Sequence, residues 1–174
     1  VKGLKATTAN ASRVEWRKLW LQPFFEALLA TLSPVTQRAR CKVLLTCPSD
    51  LALVTEPGSL GQVISNLVVN ATLHAFEGRT ERELRIEVSR MEQRVLVRVA
   101  DNGCGMSAEA SARVFSPFFT TRRASGGSGL GLFSARRVTQ EVLAGHIDLL
   151  STNGQGTAFL ISLPWLEQPP PGRG

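Results

Sequence analysis

The stretch Asp101-Asn102-Gly103-Cys104-Gly105-Met106 decides the fold, because it marks the end of a strand. The alternating valines of residues 95–99 share one strand face, so the carboxylate of Asp101 stands where that strand gives way to a glycine-rich turn. Further along, Gly126-Gly127-Ser128-Gly129-Leu130-Gly131-Leu132 leads directly into a helical pattern. A carboxylate can accept a hydrogen bond from an amino group, and unhindered N–H groups at a helix start favour anions. Together the two turns predict a nucleotide site.

Upstream of both turns lies the best-formed helix of the sequence. Apolar residues recur at steps of three and four from Leu60 to Ala71, which predicts one buried stripe. Asn66, Asn70 and His74 follow at four-residue steps and form a polar stripe beside it. An amide oxygen is a hard ligand that suits Mg²⁺, which also takes phosphate oxygens and water. For His74 we leave open whether the ring stacks on a base or lies on the surface.

A loop with aromatic and basic residues separates the two glycine turns. Phe118, Phe119 and Thr120 could fold over a nucleotide, while Arg122 and Arg123 could reach its phosphates. Each pattern also has a plainer interpretation: a polar turn, a flexible linker or a surface loop. A Walker P-loop is excluded because no Gly-Lys-Ser/Thr is present, and no βαβ unit surrounds the glycine run as in dinucleotide-binding folds.

Composition narrows the class of protein. The 174 residues are 43% hydrophobic and 20% charged, as in a soluble globular domain. The net charge of +6 is scattered, without a basic stripe interleaved with aromatics, so we expect no nucleic-acid partner. No apolar run is long enough for a membrane span, so we expect no membrane contact by this domain. Three cysteines without C-x-x-C spacing indicate the cytoplasm, and the start at Val1 indicates a fragment of a larger protein.

The order of elements predicts an α+β fold: a two-layer α/β sandwich whose mixed, mainly antiparallel sheet has helices on one face. The expected domain is 13–165, with an arm at 1–12 and a flexible tail at 166–174. The second predicted helix is the one that carries Asn66 and Asn70. The first predicted helix is expected to break near Ser33-Pro34. The expected strands are 14–19, 42–46, 51–54, 84–88, 95–99, 145–151 and 156–163, and the other expected helices are 20–32, 107–114 and 128–143.

The order of the motifs resembles the catalytic and ATP-binding domain of sensor histidine kinases, in the superfamily that also holds gyrase and shares the Bergerat fold. The match covers about residues 14–165. The parts that carry the resemblance are Leu60–Ala71 (N box), Asp101–Gly105 (G1 box), Phe115–Phe119 (F box), Gly127–Leu132 (G2 box) and the closing hairpin around 154–164.

The resemblance implies a role for each candidate residue, with ATP and Mg²⁺ as cofactors. Asn70 would coordinate Mg²⁺ with Asn66 nearby, and Asp101 would bond the adenine amino group. Residues 115–126 would form a mobile ATP lid. The other implied nucleotide-binding residues are Gly103, Gly105 and Thr157 around the base, His74 beside it, Phe118, Phe119, Thr120 and Arg122 in the lid, and Gly127, Ser128, Gly129, Leu130, Gly131 and Leu132 at the phosphates.

One position favours phosphoryl transfer over hydrolysis. Relatives that hydrolyse ATP place a glutamate general base four residues before the metal-binding asparagine, where this chain has Asn66. The resemblance then implies a γ-phosphoryl transfer to a histidine on a separate dimerisation domain, with a response regulator as indirect partner and a parent anchored in the inner membrane or free. Leu73 stands where several relatives carry a basic residue. The alternatives are a hydrolytic ATPase and a regulatory module with a degenerate nucleotide site.

Overall fold

The computed structural model describes residues 15–120 and 129–168. The predicted arm at 1–12, the end of the tail, and Arg122, Arg123, Gly127 and Ser128 lie outside these ranges. In chain order the elements are β1 (Arg17–Trp20), α1 (Leu21–Arg38), β2 (Lys42–Thr46), β3 (Ala52–Thr55), α2 (Pro57–His74), β4 (Glu83–Met91), β5 (Arg94–Asp101), α3 (Ala108–Arg113), α4 (Gly131–Glu141), β6 (His146–Thr152) and β7 (Gly156–Pro164).

The main sheet has five strands in the order β2-β4-β5-β7-β6. Strand β2 runs parallel to β4, and the other neighbours are antiparallel, which confirms the predicted mixed, mainly antiparallel sheet. Alternate residues of β4 and β5 are buried, while Arg85 and Arg98 on the opposite face are exposed. In the β5–β7 ladder Asp101 stands directly opposite Thr157.

The helices cover the buried face of this sheet and complete the predicted two-layer sandwich. Helix α2 packs against α1, α4 and β5, and its apolar stripe is fully enclosed. Each large side chain of that stripe stabilises the fold by about 1.5–3 kcal/mol through burial. The buried residues of α2 are Leu60, Val63, Ile64, Leu67, Val68 and Ala71, as the spacing predicted.

Strand β1 belongs to a second, two-stranded sheet. It pairs antiparallel with β3, with Arg17 opposite Thr55 and Trp20 opposite Ala52. The sequence predicted both strands but not their pairing, because neither contains a turn signal that joins one to the other. Leu21, the first residue of α1, is completely buried, and its N–H donates to Leu51 O at 3.0 Å. The small sheet therefore holds the start of α1 against the core.

The predicted break of α1 near Ser33-Pro34 is wrong, because the helix continues through Pro34 to Arg38. A proline inside a helix leaves the carbonyl four residues earlier without its partner. Both Pro34 and Ala30 lie on the exposed side, so that carbonyl faces solvent. Thr36 is buried, and its hydroxyl donates to Ser33 O at 3.1 Å, which supports the last turn.

Helix α4 begins three residues later than predicted, at Gly131 instead of 128. Gly129 has a φ of +67°, a left-handed conformation that cannot continue an α-helix. A side chain at this position would also meet the backbone of Phe118, 2.5 Å from its carbonyl carbon. The close approach of the phenylalanine loop thus sets where α4 can start.

Candidate functional site

A cavity of about 590 Å³ opens between α2, the turn after β5, α3 and the start of α4. Most of the predicted site residues lie together in its wall, although they come from five separate parts of the chain. The predicted residues that line it are Asn66, Asn70, His74, Asp101, Gly105, Phe119, Thr120, Gly129, Gly131, Leu132 and Thr157.

One end of the cavity is built around the Asp101 carboxylate. Its Oδ1 accepts hydrogen bonds from the N–H groups of Gly103 at 2.9 Å and Thr157 at 3.2 Å. Burial raises the pKa of Asp101 above its ordinary value, and these two hydrogen bonds oppose the rise. Since Oδ1 is held by the protein, Oδ2 is the atom left to accept from a ligand's amino group.

The glycines of this turn serve the protein's own backbone. A Cβ at Gly103 would lie 2.2 Å from Ala75 O, and one at Gly105 would lie 2.0 Å from Thr152 O. Gly105 also has a φ of +68°, and Cys104 donates its N–H to Ala75 O at 2.7 Å. Close packing therefore also requires both glycines, Gly103 against Ala75 at the end of α2 and Gly105 against the β6–β7 hairpin, and their place beside a flat base stays a prediction.

The other end of the cavity is lined by amide side chains. Asn66 and Asn70 lie one turn apart on α2 and are both half-buried in the cavity wall. Within residues 15–120 and 129–168, neither amide has a hydrogen-bond partner. Leu73, which replaces a basic residue of several relatives, lies at the cavity mouth with 49% of its surface exposed.

The start of α4 faces the same end of the cavity. Its N-cap residue, Leu130, supplies no side-chain hydrogen bond, and no acidic residue stands in the first turn. In α2, by contrast, Glu56 accepts from Gly58 and Ser59 N–H groups. An open helix N-terminus with glycine beside it offers N–H groups and a positive dipole end to anionic oxygens.

Some predicted residues stand apart from the cavity. Gly103 is turned toward Ala75, Leu130 is 38% exposed, and Phe118 is 64% exposed with a φ of +62°. These three are not among the residues that line the cavity. Arg122, Gly127 and Ser128 fall outside the described residues, so their predicted phosphate contacts stay predictions.

Several lining residues were not predicted to belong to the site. They are Val69, Ala75, Glu77, Ser107, Ala110 and Val114, together with Leu73, Cys104 and Met106, which the sequence analysis mentioned without assigning them a binding role. Ala110 in α3 and Val114, the C-cap residue just after it, are four residues apart, a spacing that predicts a shared face. What the sequence could not show is that this face closes over the Asp101 turn.

The donor set bears on which metal the site can hold. No group of three His, Cys, Asp or Glu side chains comes together among the described residues. Two amide oxygens alone do not bind a divalent ion firmly. They fit Mg²⁺ when phosphate oxygens and water complete its octahedral shell.

The described part of the chain also contains no helix with the length and apolar character needed to cross a membrane.

Comparison with known families identifies the family to which the chain belongs. Residues 55–167 match the family described as histidine kinase-, DNA gyrase B- and HSP90-like ATPases. The matched region runs from the end of β3 to just beyond β7 and includes every cavity-lining residue.

The relatives are sensor proteins and histidine kinases. The alginate biosynthesis sensor protein KinB of Pseudomonas aeruginosa is 38% identical over 103 residues, 59% of this chain and 17% of the relative. The sensor histidine kinase ZraS of Klebsiella oxytoca is 36% identical over 144 residues, 80% of this chain and 30% of the relative. The chain thus spans less than a third of either protein.

A solved structure shows the same fold. The catalytic domain of histidine kinase ThkA superposes with a TM-score of 0.75 at 24% identity, covering 87% of this chain and 96% of that domain. The chain belongs to the family of histidine kinase-, DNA gyrase B- and HSP90-like ATPases, as an ATP-binding domain of the sensor histidine kinase type.

Proposed function

We propose that this domain binds Mg-ATP and transfers the γ-phosphoryl group to a histidine on a separate dimerisation domain. The observation that carries the proposal is the pair Asn66 and Asn70 in the wall of the same cavity as Asp101. A neutral amide stands at position 66, where hydrolytic relatives would have a carboxylate general base.

The chain's own residues would bind and orient the nucleotide. Asp101 Oδ2 accepts from the adenine amino group, and the apolar wall of Val69, Ala110 and Val114 excludes water from the base. Asn70 holds Mg²⁺, with Asn66 beside it, while the open start of α4 receives phosphate oxygens. When bound, Mg²⁺ neutralises the charge of the phosphates. Catalysis is then mostly positioning and charge stabilisation.

Transfer to an imidazole needs no base at position 66. A neutral ring nitrogen of the acceptor histidine attacks the γ-phosphorus, the bond to the β–γ bridging oxygen breaks, and ADP leaves with that electron pair. The carboxylates that line the cavity among the described residues are Asp101 and Glu77. Glu77 follows Ala75, which is bonded to the Asp101 turn, so both lie at the base end, away from the phosphates.

The proposal includes partners and surroundings. The acceptor histidine would belong to a separate dimerisation domain, so this domain alone should not autophosphorylate, and a response regulator would receive the phosphoryl group indirectly. We place the folded unit at residues 13–165, with residues 115–126 as the lid. A cytoplasmic location fits the three free cysteines, and the rest of the protein would carry any inner-membrane anchor.

The test is nucleotide binding and phosphoryl transfer by the domain and its Asn70→Ala variant. The wild type should bind ATP with a strong dependence on Mg²⁺ and phosphorylate the parent's own dimerisation domain. Asn70→Ala should lose that dependence and reduce transfer by about 100-fold or more, because it removes a metal ligand. Asn153→Ala, at an exposed turn outside the cavity wall, is the matched control and should leave both unchanged.

A second variant addresses the base. Asp101→Asn keeps the shape but presents an amide that can donate to a 6-oxo group, so preference for adenine over guanine nucleotides should fall. Rapid release of phosphate without an acceptor domain would favour the hydrolytic ATPase instead. Absence of ATP binding by the wild type would favour the degenerate module.

A further inference from the structure

Ser151 on β6 is outside the cavity wall yet contacts three groups around its base end. Its Oγ lies 2.9 Å from Met106 N, 3.0 Å from Gly156 O and 3.0 Å from Thr157 Oγ1. Thr157 itself lines the cavity, is 6% exposed, and donates its N–H to Asp101 Oδ1. Ser151 thus adds a second link, through Met106, between the Asp101 turn and Thr157, the residue opposite Asp101 in the sheet.

Counting hydrogens fixes the direction of each bond. A hydroxyl has one proton to donate and two lone pairs to accept with. The N–H of Met106 can only donate to Ser151, and the carbonyl of Gly156 can only accept from it. The single proton of Ser151 therefore goes to Gly156 O, and the hydroxyl proton of Thr157 must go to Ser151 Oγ.

We infer that Ser151 is a positioning residue that sets base specificity by holding the Thr157 hydroxyl as a hydrogen-bond acceptor toward the cavity. The inference rests on the proposed function, since it requires a purine nucleotide at the Asp101 end. Ser151 acts only through Thr157 and touches no nucleotide atom itself.

The chemistry of the base explains why this direction matters. With its proton committed to Ser151, Thr157 Oγ1 presents lone pairs alone, and ionised Asp101 Oδ2 also only accepts. The 6-amino group of adenine has two hydrogens to offer such an edge, directly or through a bridging water. A 6-oxo base would instead place the lone pairs of its oxygen against Thr157 Oγ1 and Asp101 Oδ2. This contact is repulsive and leaves both protein acceptors without a hydrogen-bond donor.

The experiment compares the affinities of ADP and IDP, which differ at the 6-position and in the N1 proton that the 6-oxo form carries. In Ser151→Ala the Thr157 hydroxyl can rotate and donate to the oxo group, so the ADP-to-IDP affinity ratio should fall about 3- to 10-fold. Ser151→Thr keeps the hydroxyl and should restore the ratio. Because the ratio is measured on one protein, a reduced folded fraction does not change it.

A double variant separates positioning from general damage. In a Thr157→Val background the Ser151→Ala substitution should leave the ADP-to-IDP affinity ratio unchanged, because the Thr157 hydroxyl through which Ser151 acts is absent. For Ser151→Cys, whose thiol is a weak acceptor, we expect a smaller fall in the ADP-to-IDP affinity ratio. This variant replaces Ser151→Ala in the experiment if the alanine variant does not fold.

An unchanged ratio in Ser151→Ala, or an equal fall in the Thr157→Val background, would overturn the inference while leaving ATP binding intact. Failure of the wild type to bind ADP at all would instead overturn the proposed function.

Discussion

The two ends of the cavity differ in where their polar groups find partners. At the base end, the Asp101 turn is tied to the rest of the protein: Asn102 exchanges hydrogen bonds with Glu83, and Cys104 bonds to Ala75 and Gly154. At the phosphate end, the Asn66 and Asn70 amides have no hydrogen-bond partner within residues 15–120 and 129–168, and no side chain caps the start of α4. On the proposed function, the base end is already formed before a nucleotide binds, whereas the phosphate end keeps its polar groups available for the ligand.

The difference has an energetic reason. A rigid, internally bonded edge loses little entropy when it binds a flat base, which favours selectivity. The Asn66 and Asn70 amides cost little stability without a ligand, because they are only half-buried and remain hydrated until a ligand binds. We therefore expect substitutions at the base end to affect stability and binding, and those at the phosphate end to affect binding alone.

The largest expected effect comes from Gly105→Ala. The new Cβ would lie 2.0 Å from Thr152 O, and the φ of +68° is strained for alanine, so we expect a loss of about 3 kcal/mol in the free energy of unfolding. Gly131→Ala at the phosphate end is the matched control. Nothing lies within 4 Å of its Cβ, so its stability should stay within about 1 kcal/mol of wild type in urea unfolding. Equal losses would erase the contrast between the ends.

An intermediate effect is expected from Arg79→Ala. Its Nη2 donates to Gly103 O at 3.1 Å and Gly154 O at 2.5 Å, joining the Asp101 turn to the β6–β7 hairpin. Removal should cost about 1–2 kcal/mol of stability and weaken adenine nucleotide binding several-fold.

Arg82→Ala provides the control for Arg79. Arg82 also donates to two main-chain carbonyls, those of Arg79 and Ala39, but away from the cavity. Calorimetric unfolding should show a similar loss of stability, while the nucleotide affinity, measured by titration, stays at the wild-type value. Equal weakening of binding in both variants would mean that Arg79 acts only through overall stability.

The smallest expected effect is the pH dependence of Asp101. Burial raises its folded-state pKa, so the carboxylate becomes protonated at a higher pH than an ordinary aspartate and loses an acceptor for the base. Nucleotide affinity should fall about 3- to 10-fold as the pH drops through that raised pKa.

The stability of the nucleotide-free domain should change in the opposite direction. The folded state binds the proton more tightly than the unfolded state, so stability from this group is fully present below the unfolded pKa and is lost as pH rises through the folded pKa. Asp101→Asn should flatten both profiles. A wild-type affinity profile that matches that of Asp101→Asn would show that Asp101 does not contact the base.

Much of the fold could be predicted from the periodic spacing of apolar residues. The α2 stripe and the β4–β5 hairpin followed from spacing alone, because burial on one face imposes a period. The errors lay where tertiary context overrides a local rule: Pro34 sits on an exposed helix face that tolerates it, and Gly129 is forced out of the helix by the phenylalanine loop. The pairing of β1 with β3 depends on contacts distant in sequence.

The sequence allowed site residues to be predicted where the type of side chain itself indicates a binding role. Asp101, Asn66 and Asn70 were identified and do meet in one cavity. Val69, Ala110 and Val114 carry no chemical signal, so only the fold shows that they line it. Ser151 escaped detection because its role depends on three hydrogen bonds that β-strand pairing creates.

The opposition of Asp101 and Thr157 across β5 and β7 has a consequence for folding. These residues are 56 positions apart in the chain, and a register slip of one residue would turn one of them to the wrong face of the sheet. The proposed base site would therefore form only once this long-range pairing is complete. Nucleotide binding then stabilises the correctly paired sheet selectively, so a bound nucleotide acts as a check on strand register.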